Sequence, residues 1–376
     1  MDWDQWRREF PITERLTHFN HAGVAPLSRR VAAAVAEFVS AAMRIDATAQ
    51  RHWAARGEAV RAAFAQLVGA QADEIAFVKN TSEGLSLVAA GLDWHAGDNV
   101  IAVDGEYPSN VYPWFGLRRF GVETRLVQPA RGRVHADAVR ALLDAHTRLV
   151  SVSFVDWGTG ARTDLAAIAS VCHERRVLFC VDGIQGVGAV RLDVERAGID
   201  CLAVGGHKWL LAPEGLGCLY VSRRVIDRIA SVLHGWKSVT DADTYLPYHF
   251  TPRPDAAKFE PGSPSVLSTY ALGAAIDLLL EVGPAAVEAR VLHLTDRLAD
   301  GLRGRGAEVL SPWGVDERSG IVVFRLGDDP QALCRGLIDR GFIVRVRSGG
   351  IRVAPHFYND ADDIDRFLAA LDGLRT

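Results

Sequence analysis

Six short apolar runs recur through the first two thirds of the chain: IAFV at 75–78, NVIAV at 99–103, RLVSVSFV at 148–155, VLFCV at 177–181, IDCLAV at 199–204 and GCLYV at 217–221. They are short for helices and too uniformly apolar to leave one face in water. Between several of them lie segments with apolar groups at helical spacing, such as GLSLVAAGL at 84–92 and DLAAIASVCHE at 164–174. Strands buried on both faces and alternating with helices predict an α/β fold around a mostly parallel sheet rather than a solvent-facing meander. Two earlier helices are predicted, from VAAAVAEFVSAAM at 31–43 and over 53–67, and a shorter one near Tyr112.

A chain of 376 residues is expected to form about two domains. The regular alternation stops after GCLYV, and the irregular stretch through Trp236 to Pro264 marks a boundary. Helices are predicted around 265–282, 286–303 and 330–340, with strand-like segments IVVFRL at 321–326 and FIVRV at 342–346. The resulting division is a large domain over 17–254, and a smaller α+β domain made of 1–16 and 255–376.

A net charge of -4 and the absence of a dense lysine-arginine tract argue against nucleic-acid binding. The opening MDWDQWRREF has no basic region followed by an apolar stretch, so no secretory signal or membrane anchor is expected and a cytoplasmic location is predicted. Five cysteines, at 172, 180, 201, 218 and 334, form neither a disulfide framework nor a metal-ligand pair, which fits a reducing compartment. No histidine spacing matches a recognised zinc site, so no metal is expected. The basic residues are unusual in kind: of 42, only Lys79, Lys208, Lys237 and Lys258 are lysines. Chemistry that needs a primary amine therefore has four candidates.

Lys208 stands in GGHKWLLAPEGLG, directly after the run IDCLAV. A surface lysine is solvated and inert, whereas one held at the carboxyl end of a central strand lies where α/β sheets collect ligands and can form a Schiff base. Asp182 ends the run VLFCV, with Gln185 just beyond it. Aspartate there either tightens a turn or faces a pyridine nitrogen and keeps it protonated, with Gln185 donating to the ring oxygen. In NTSEG, Thr81 and Ser82 open a helix, either as ordinary caps or as phosphate donors beside free backbone amides. Tyr107 in DGEYPSN is a core or lid aromatic, or a ring stacked over a planar cofactor.

Together and in this order, these motifs resemble the class V aminotransferase superfamily of fold-type I pyridoxal phosphate enzymes, in its isopenicillin-N-epimerase-like and cysteine-desulfurase-like branch. The resemblance covers almost the whole chain. It implies a large seven-stranded, mostly parallel sheet domain with a smaller α+β domain, pyridoxal 5'-phosphate as cofactor, and a homodimer with shared active sites. It implies Lys208 as the internal aldimine lysine, Asp182 as the pyridinium partner, Gln185 as the contact to the ring oxygen, and Tyr107 as the stacking aromatic. Thr81, Ser82 and His207 become phosphate contacts, Thr159 a cofactor-side residue of the loop holding Asp156 and Trp157, and Ser263 in FEPGSPS a phosphate contact across the dimer. Arg352 in GGIRVAPHFYND becomes the clamp on the substrate carboxylate, and Asn20, His21 and Ala22 of FNHAG line the substrate side.

The implied activity acts on an amino acid or related amine, with a keto acid as a possible co-substrate. Aminotransfer is placed first, with epimerisation or C–S or β-elimination lyase chemistry as alternatives and an inactive ligand-binding protein as the non-enzymatic one. Cysteine desulfurases carry a reactive cysteine on a mobile loop before the clamp arginine, but FIVRVRSGGIRVAP has none. Cys334 lies earlier, in the apolar QALCRGLI, where a structural thiol is expected. Arg345 and Arg347 in the same stretch either solvate the rim or read an acidic side chain.

Overall fold

The computed structural model describes residues 1–374, so the last two residues of the predicted 255–376 segment lie outside it. Seven strands form the large sheet: β1 (Ile75–Val78), β2 (Asn99–Val103), β3 (Glu123–Val127), β4 (Thr147–Ser153), β5 (Leu178–Asp182), β6 (Cys201–Gly205) and β7 (Gly217–Val221). Their spatial order is β1-β7-β6-β5-β4-β2-β3. Strands β2 to β6 pair in parallel, while β7 runs antiparallel to both β6 and β1.

The apolar runs are double-sided, as expected of a sheet covered on both faces. In β4 and β5, Val150, Val152, Phe179 and Val181 enter one core, and Leu149, Leu178 and Cys180 enter the core on the opposite face. This alternation follows from the two-residue period of a strand. Strand β3 has no counterpart among the six runs. It is one edge of the sheet, and its first four residues are exposed or half-buried, so it carries Glu123 and Arg125 instead of a continuous apolar stretch; β1, at the other edge, is covered by the segment around Glu260 and stays apolar.

Helices α1 (Arg29–Ala42) and α2 (Ala49–Val68) precede the sheet, and α3 (Thr81–Gly91) and α4 (Leu165–Glu174) lie within its connections. Each start has a local cause. Ser28 accepts from the Val31 amide at 3.2 Å, Asn80 from Glu83 at 2.9 Å and Asp164 from Ala167 at 3.1 Å. The helix expected near Tyr112 is a single turn, Tyr112–Phe115, running into a 3-10 segment that ends at left-handed Gly121.

Helices α5 (Val266–Val282), α6 (Pro284–Arg303), α7 (Pro330–Asp339) and α8 (Ala361–Asp372) follow. With them comes an antiparallel sheet of β8 (Glu308–Val309), β9 (Val322–Arg325), β10 (Arg345–Arg347) and β11 (Gly350–Val353), in the order β10-β11-β9-β8. A separate core joins this sheet to α6 and α8 through Leu294, Leu298, Phe324, Ile351 and Phe367. The predicted boundaries at 17 and 255 adjoin packed segments: Phe19 enters this separate core, and α5 packs against α1 and α2. The FIVRV run divides at Val344, because Phe342–Ile343 pair in parallel with Thr17–His18 whereas Arg345–Arg347 pair with β11. Among the described residues, no single helix is long and apolar enough to cross a membrane.

Candidate active site

The carboxyl end of β5, the loop after β6, the start of α3, the segment around Asn20 and the β10–β11 hairpin converge on a cleft of about 770 Å³. Lys208 follows β6 by three residues and is 8 % exposed. Its Nζ lies 5.5 Å from the centre of the Tyr107 ring, and among the described residues it makes no ion pair within 4 Å. Burial lowers its pKa to about 8, helped by the positive charges of Arg352 and Arg347 and opposed by Asp182. A lysine poised there sheds its proton far more readily than one in water.

Asp182 is the last residue of β5, 3 % exposed, and its Oδ1 accepts from the Ile184 amide at 2.9 Å. Burial pushes its carboxyl up to about 6, against the pull of that hydrogen bond and of Lys208. Gln185 also lines the cleft. Its Nε2 donates to the Ala22 carbonyl and its Oε1 accepts from Trp209 Nε1, both at 3.0 Å, which fixes the amide's orientation and leaves one Nε2 hydrogen to donate.

Thr81 is the first residue of α3, and its Oγ1 is buried with no hydrogen-bond partner. A hydroxyl left so at a helix start, beside backbone amides that the helix cannot satisfy internally, fits an anion. Ser82 lines the same corner, its Oγ donating to Ser109 Oγ at 2.7 Å. His207 is half-buried, and burial together with the neighbouring Lys208 charge lowers its imidazole pKa. An orphaned hydroxyl at a helix N-terminus, a buried unpaired amine and a buried acid fit the phosphate, aldehyde and pyridine nitrogen of pyridoxal phosphate.

Tyr107 and Trp157 form the outer wall, their rings edge-on at 5.6 Å, and Trp157 Nε1 donates to the Gly105 carbonyl at 3.0 Å. Arg352 of β11 is 3 % exposed; it donates to the Trp157 carbonyl at 2.9 Å and to Asn20 Oδ1 at 3.4 Å, while its Nε is buried without a partner. Its pKa falls to about 10, through burial and the Arg347 charge, with Asp156 opposing.

Three predicted contacts lie elsewhere. Asn20 and Ala22 line the cleft, but His21 between them points away: its ring bonds the Ala354 carbonyl at 2.7 Å and the Tyr358 hydroxyl at 2.8 Å, fully buried. The chain turns here, the Gly23 amide bonding the Asn20 carbonyl at 2.8 Å, and the turn carries the His21 ring to the side away from the cleft. Thr159 is not among the cleft-lining residues; its Oγ1 and amide both bond Asp156 Oδ1, at 2.6 and 2.5 Å, closing a turn. Ser263 is exposed in the turn before α5 and lies outside the cleft of the single chain.

One acid carries no sequence signal at all. Glu106 accepts from the Ser153 amide at 2.9 Å and from its hydroxyl at 2.6 Å. Burial first, then the negative fields of Asp182 and Asp156, raise its pKa to about 8. Only the tertiary fold gathers these three acids, from segments 76 residues or fewer apart, at one end of the sheet.

The profile of the Aminotransferase class-V family matches residues 17–367. A probable cysteine desulfurase of Methanothermobacter thermautotrophicus is 28% identical over 404 residues, covering 98% of this chain and 97% of the relative. An uncharacterized aminotransferase of Schizosaccharomyces pombe is 27% identical over 376 residues, covering 96% and 93%. Among solved structures, the cystine C-S lyase C-DES, bound to its reaction product cysteine persulfide, superposes with a TM-score of 0.90 at 25% identity, covering 96% of this chain and 98% of that one. With that match across nearly the whole chain, and a cleft that fits the cofactor, the chain belongs to the aminotransferase class-V family of fold-type I, pyridoxal-phosphate-dependent enzymes.

Proposed function

We propose that the chain cleaves a carbon–sulfur bond at Cβ of a small α-amino acid by elimination, without passing the sulfur to a thiol of its own. The observation that carries this reading is the buried, unpaired Lys208 amine, placed with Asp182 and Arg352 around one cleft. In it, Thr81, Ser82 and His207 hold the cofactor phosphate, Asp182 and Gln185 hold its ring, and Tyr107 covers one face. The cofactor supplies an electron sink for negative charge developing at Cα.

Arg352 takes the substrate α-carboxylate through its planar guanidinium. The Lys208 amine takes the Cα proton, the electron pair forms the Cα–Cβ double bond, and sulfur departs from Cβ as thiolate. Hydrolysis of the released enamine yields a keto acid and ammonia. Relatives named as cysteine desulfurases and a neighbour named as a C-S lyase support carbon–sulfur cleavage. Among the described residues, all five cysteines are buried and none lines the cleft, which supports release of sulfur without a protein persulfide. Aminotransfer is the second reading, supported by the Schizosaccharomyces pombe relative's name.

A homodimer in which Ser263 reaches the partner's cofactor phosphate completes the proposal, and a cytoplasmic location accompanies it. The test is product analysis on purified holoenzyme with L-cystine, S-alkyl-L-cysteines and L-alanine. Pyruvate, ammonia and a thiol or persulfide in equal amounts, with no acceptor required, support elimination. Transfer of nitrogen to an added keto acid, with no sulfur released, overturns it in favour of aminotransfer.

A further inference from the structure

The β10–β11 hairpin places three arginines together. In its register Arg345 stands directly opposite Arg352, and Arg347 opposite Gly350. Residues 345 and 347 share one face of β10 by the two-residue period, and Val346 between them packs on the opposite side against the core of the small sheet. All three arginines line the cleft.

Directly opposed like charges destabilise an antiparallel pair, their Cβ atoms being about 5 Å apart. Several arginines in the same part of the chain are paired, Arg297 with Asp365, Arg305 with Asp372 and Arg325 with Glu308, whereas Arg340, among the described residues, bonds only the Gly336 carbonyl. Arg345 and Arg347 are exposed at the cleft; among the described residues neither has a carboxylate within 4 Å, and the Arg347 guanidinium donates to the neighbouring Val346 carbonyl. The buried Nε of Arg352 is itself without a partner. The acidic groups that face the cleft are Asp182 and Glu214, and neither forms an ion pair with Arg345 or Arg347. Arg352 has the field of Asp156 and would take the α-carboxylate, which leaves the Arg345 and Arg347 guanidinium groups without an acidic partner.

We infer that the substrate carries a second carboxylate, on its side chain or on the departing sulfur group, and that Arg345 and Arg347 bind it. This rests on the proposed assignment of Arg352 to the α-carboxylate. It makes the substrate class a dicarboxylic amino acid, such as a cysteine S-conjugate ending in a carboxylate. Two guanidinium groups on adjacent same-face positions can each offer paired N–H donors, and charge-assisted bonds of this kind discriminate strongly against a neutral isostere.

The experiment compares S-carboxymethyl-L-cysteine with its amide, S-carbamoylmethyl-L-cysteine, on the holoenzyme. A preference for the acid of about 10- to 100-fold in kcat/KM is expected, in the range of charge-assisted hydrogen bonds. In the double variant Arg345→Gln/Arg347→Gln the ratio falls to about one, by a rise in KM for the acid, with the cofactor absorbance retained. A wild-type ratio near one, or a ratio unchanged in the variant, overturns the inference. A separate arm needs no turnover: calorimetry of succinate against butyrate, which share a chain length, with the holoenzyme. Tighter succinate binding that the double variant loses supports the carboxylate pair even if no sulfur is released from any substrate, and equal binding overturns it. Failure of the elimination reading and failure of this inference are thereby told apart.

Discussion

Asp182→Asn isolates the energy that the fold commits to its cofactor site. The carboxyl is 3 % exposed and its pKa is raised from 3.8 to about 6, chiefly by burial. At 1.36 kcal/mol per pKa unit this interval corresponds to ~3 kcal/mol of destabilisation of the cofactor-free protein at neutral pH. The sign follows from proton linkage. Between pH 3.8 and about 6 the unfolded chain has already lost a proton that the folded one retains, so stability falls as pH rises through that window and stays reduced above it. Asparagine keeps the Oδ1 acceptor for the Ile184 amide and carries no charge. The variant should therefore match the parent near pH 4 and exceed it by ~3 kcal/mol at pH 7.5. With an unfolding entropy of ~2.1 cal/mol/K per residue over 376 residues, that is a rise in Tm of ~4 °C. Calorimetric scans of the cofactor-free forms across pH 4 to 8 measure it, and saturating pyridoxal phosphate should reverse the order. A variant of lower Tm at pH 7.5, or a gap that ignores pH, refutes the reasoning.

Thr81→Val should leave the cofactor-free Tm unchanged or raised, because the hydroxyl it removes is buried without a partner, while pyridoxal phosphate binding weakens about tenfold by fluorescence titration. Borohydride reduction should attach the cofactor covalently to the parent and not to Lys208→Ala, as read by peptide mass. In the cofactor-free protein, labelling of the Lys208 amine by a small aldehyde should level off above about pH 8, since the amine is protonated below that value and free above it, in contrast to 10.5 for an ordinary lysine. Iodoacetamide under native conditions should leave sulfur release intact, as should Cys334→Ala, because the cysteines are buried and outside the cleft; inactivation by either would restore a thiol to the mechanism.

The strand runs that fill both faces of the large sheet were legible because a doubly covered strand has to be apolar along its middle, as in β2, β5 and β7, with polar residues such as Asn99 and Asp182 only at the ends. Strand β3 was not, since an edge strand exposed on one side needs no such run. The same distinction governs the cleft. Lys208 and Asp182 stand immediately after or at the end of apolar strands, so their position at the carboxyl end of the sheet could be read locally. His21 could not be separated from Asn20 and Ala22, because which residues of a turn face a ligand depends on what packs behind it, here Ala354 and Tyr358.

Apolar runs, turn residues and a short supply of lysines are local properties, and they suffice to specify an α/β sheet, the ends of its strands and one amine at the critical place. Which carboxyl groups share a low-dielectric pocket is a long-range matter. Glu106 sits beside Asp182 and Asp156, and Arg352 reaches Asn20 across 332 residues of sequence, only once the sheet order and the hairpin register are set. Burial and Coulomb fields act through space, so the altered acidities of Lys208, Asp182 and Glu106, and the unbalanced charge of Arg345 and Arg347, were decided by the tertiary structure.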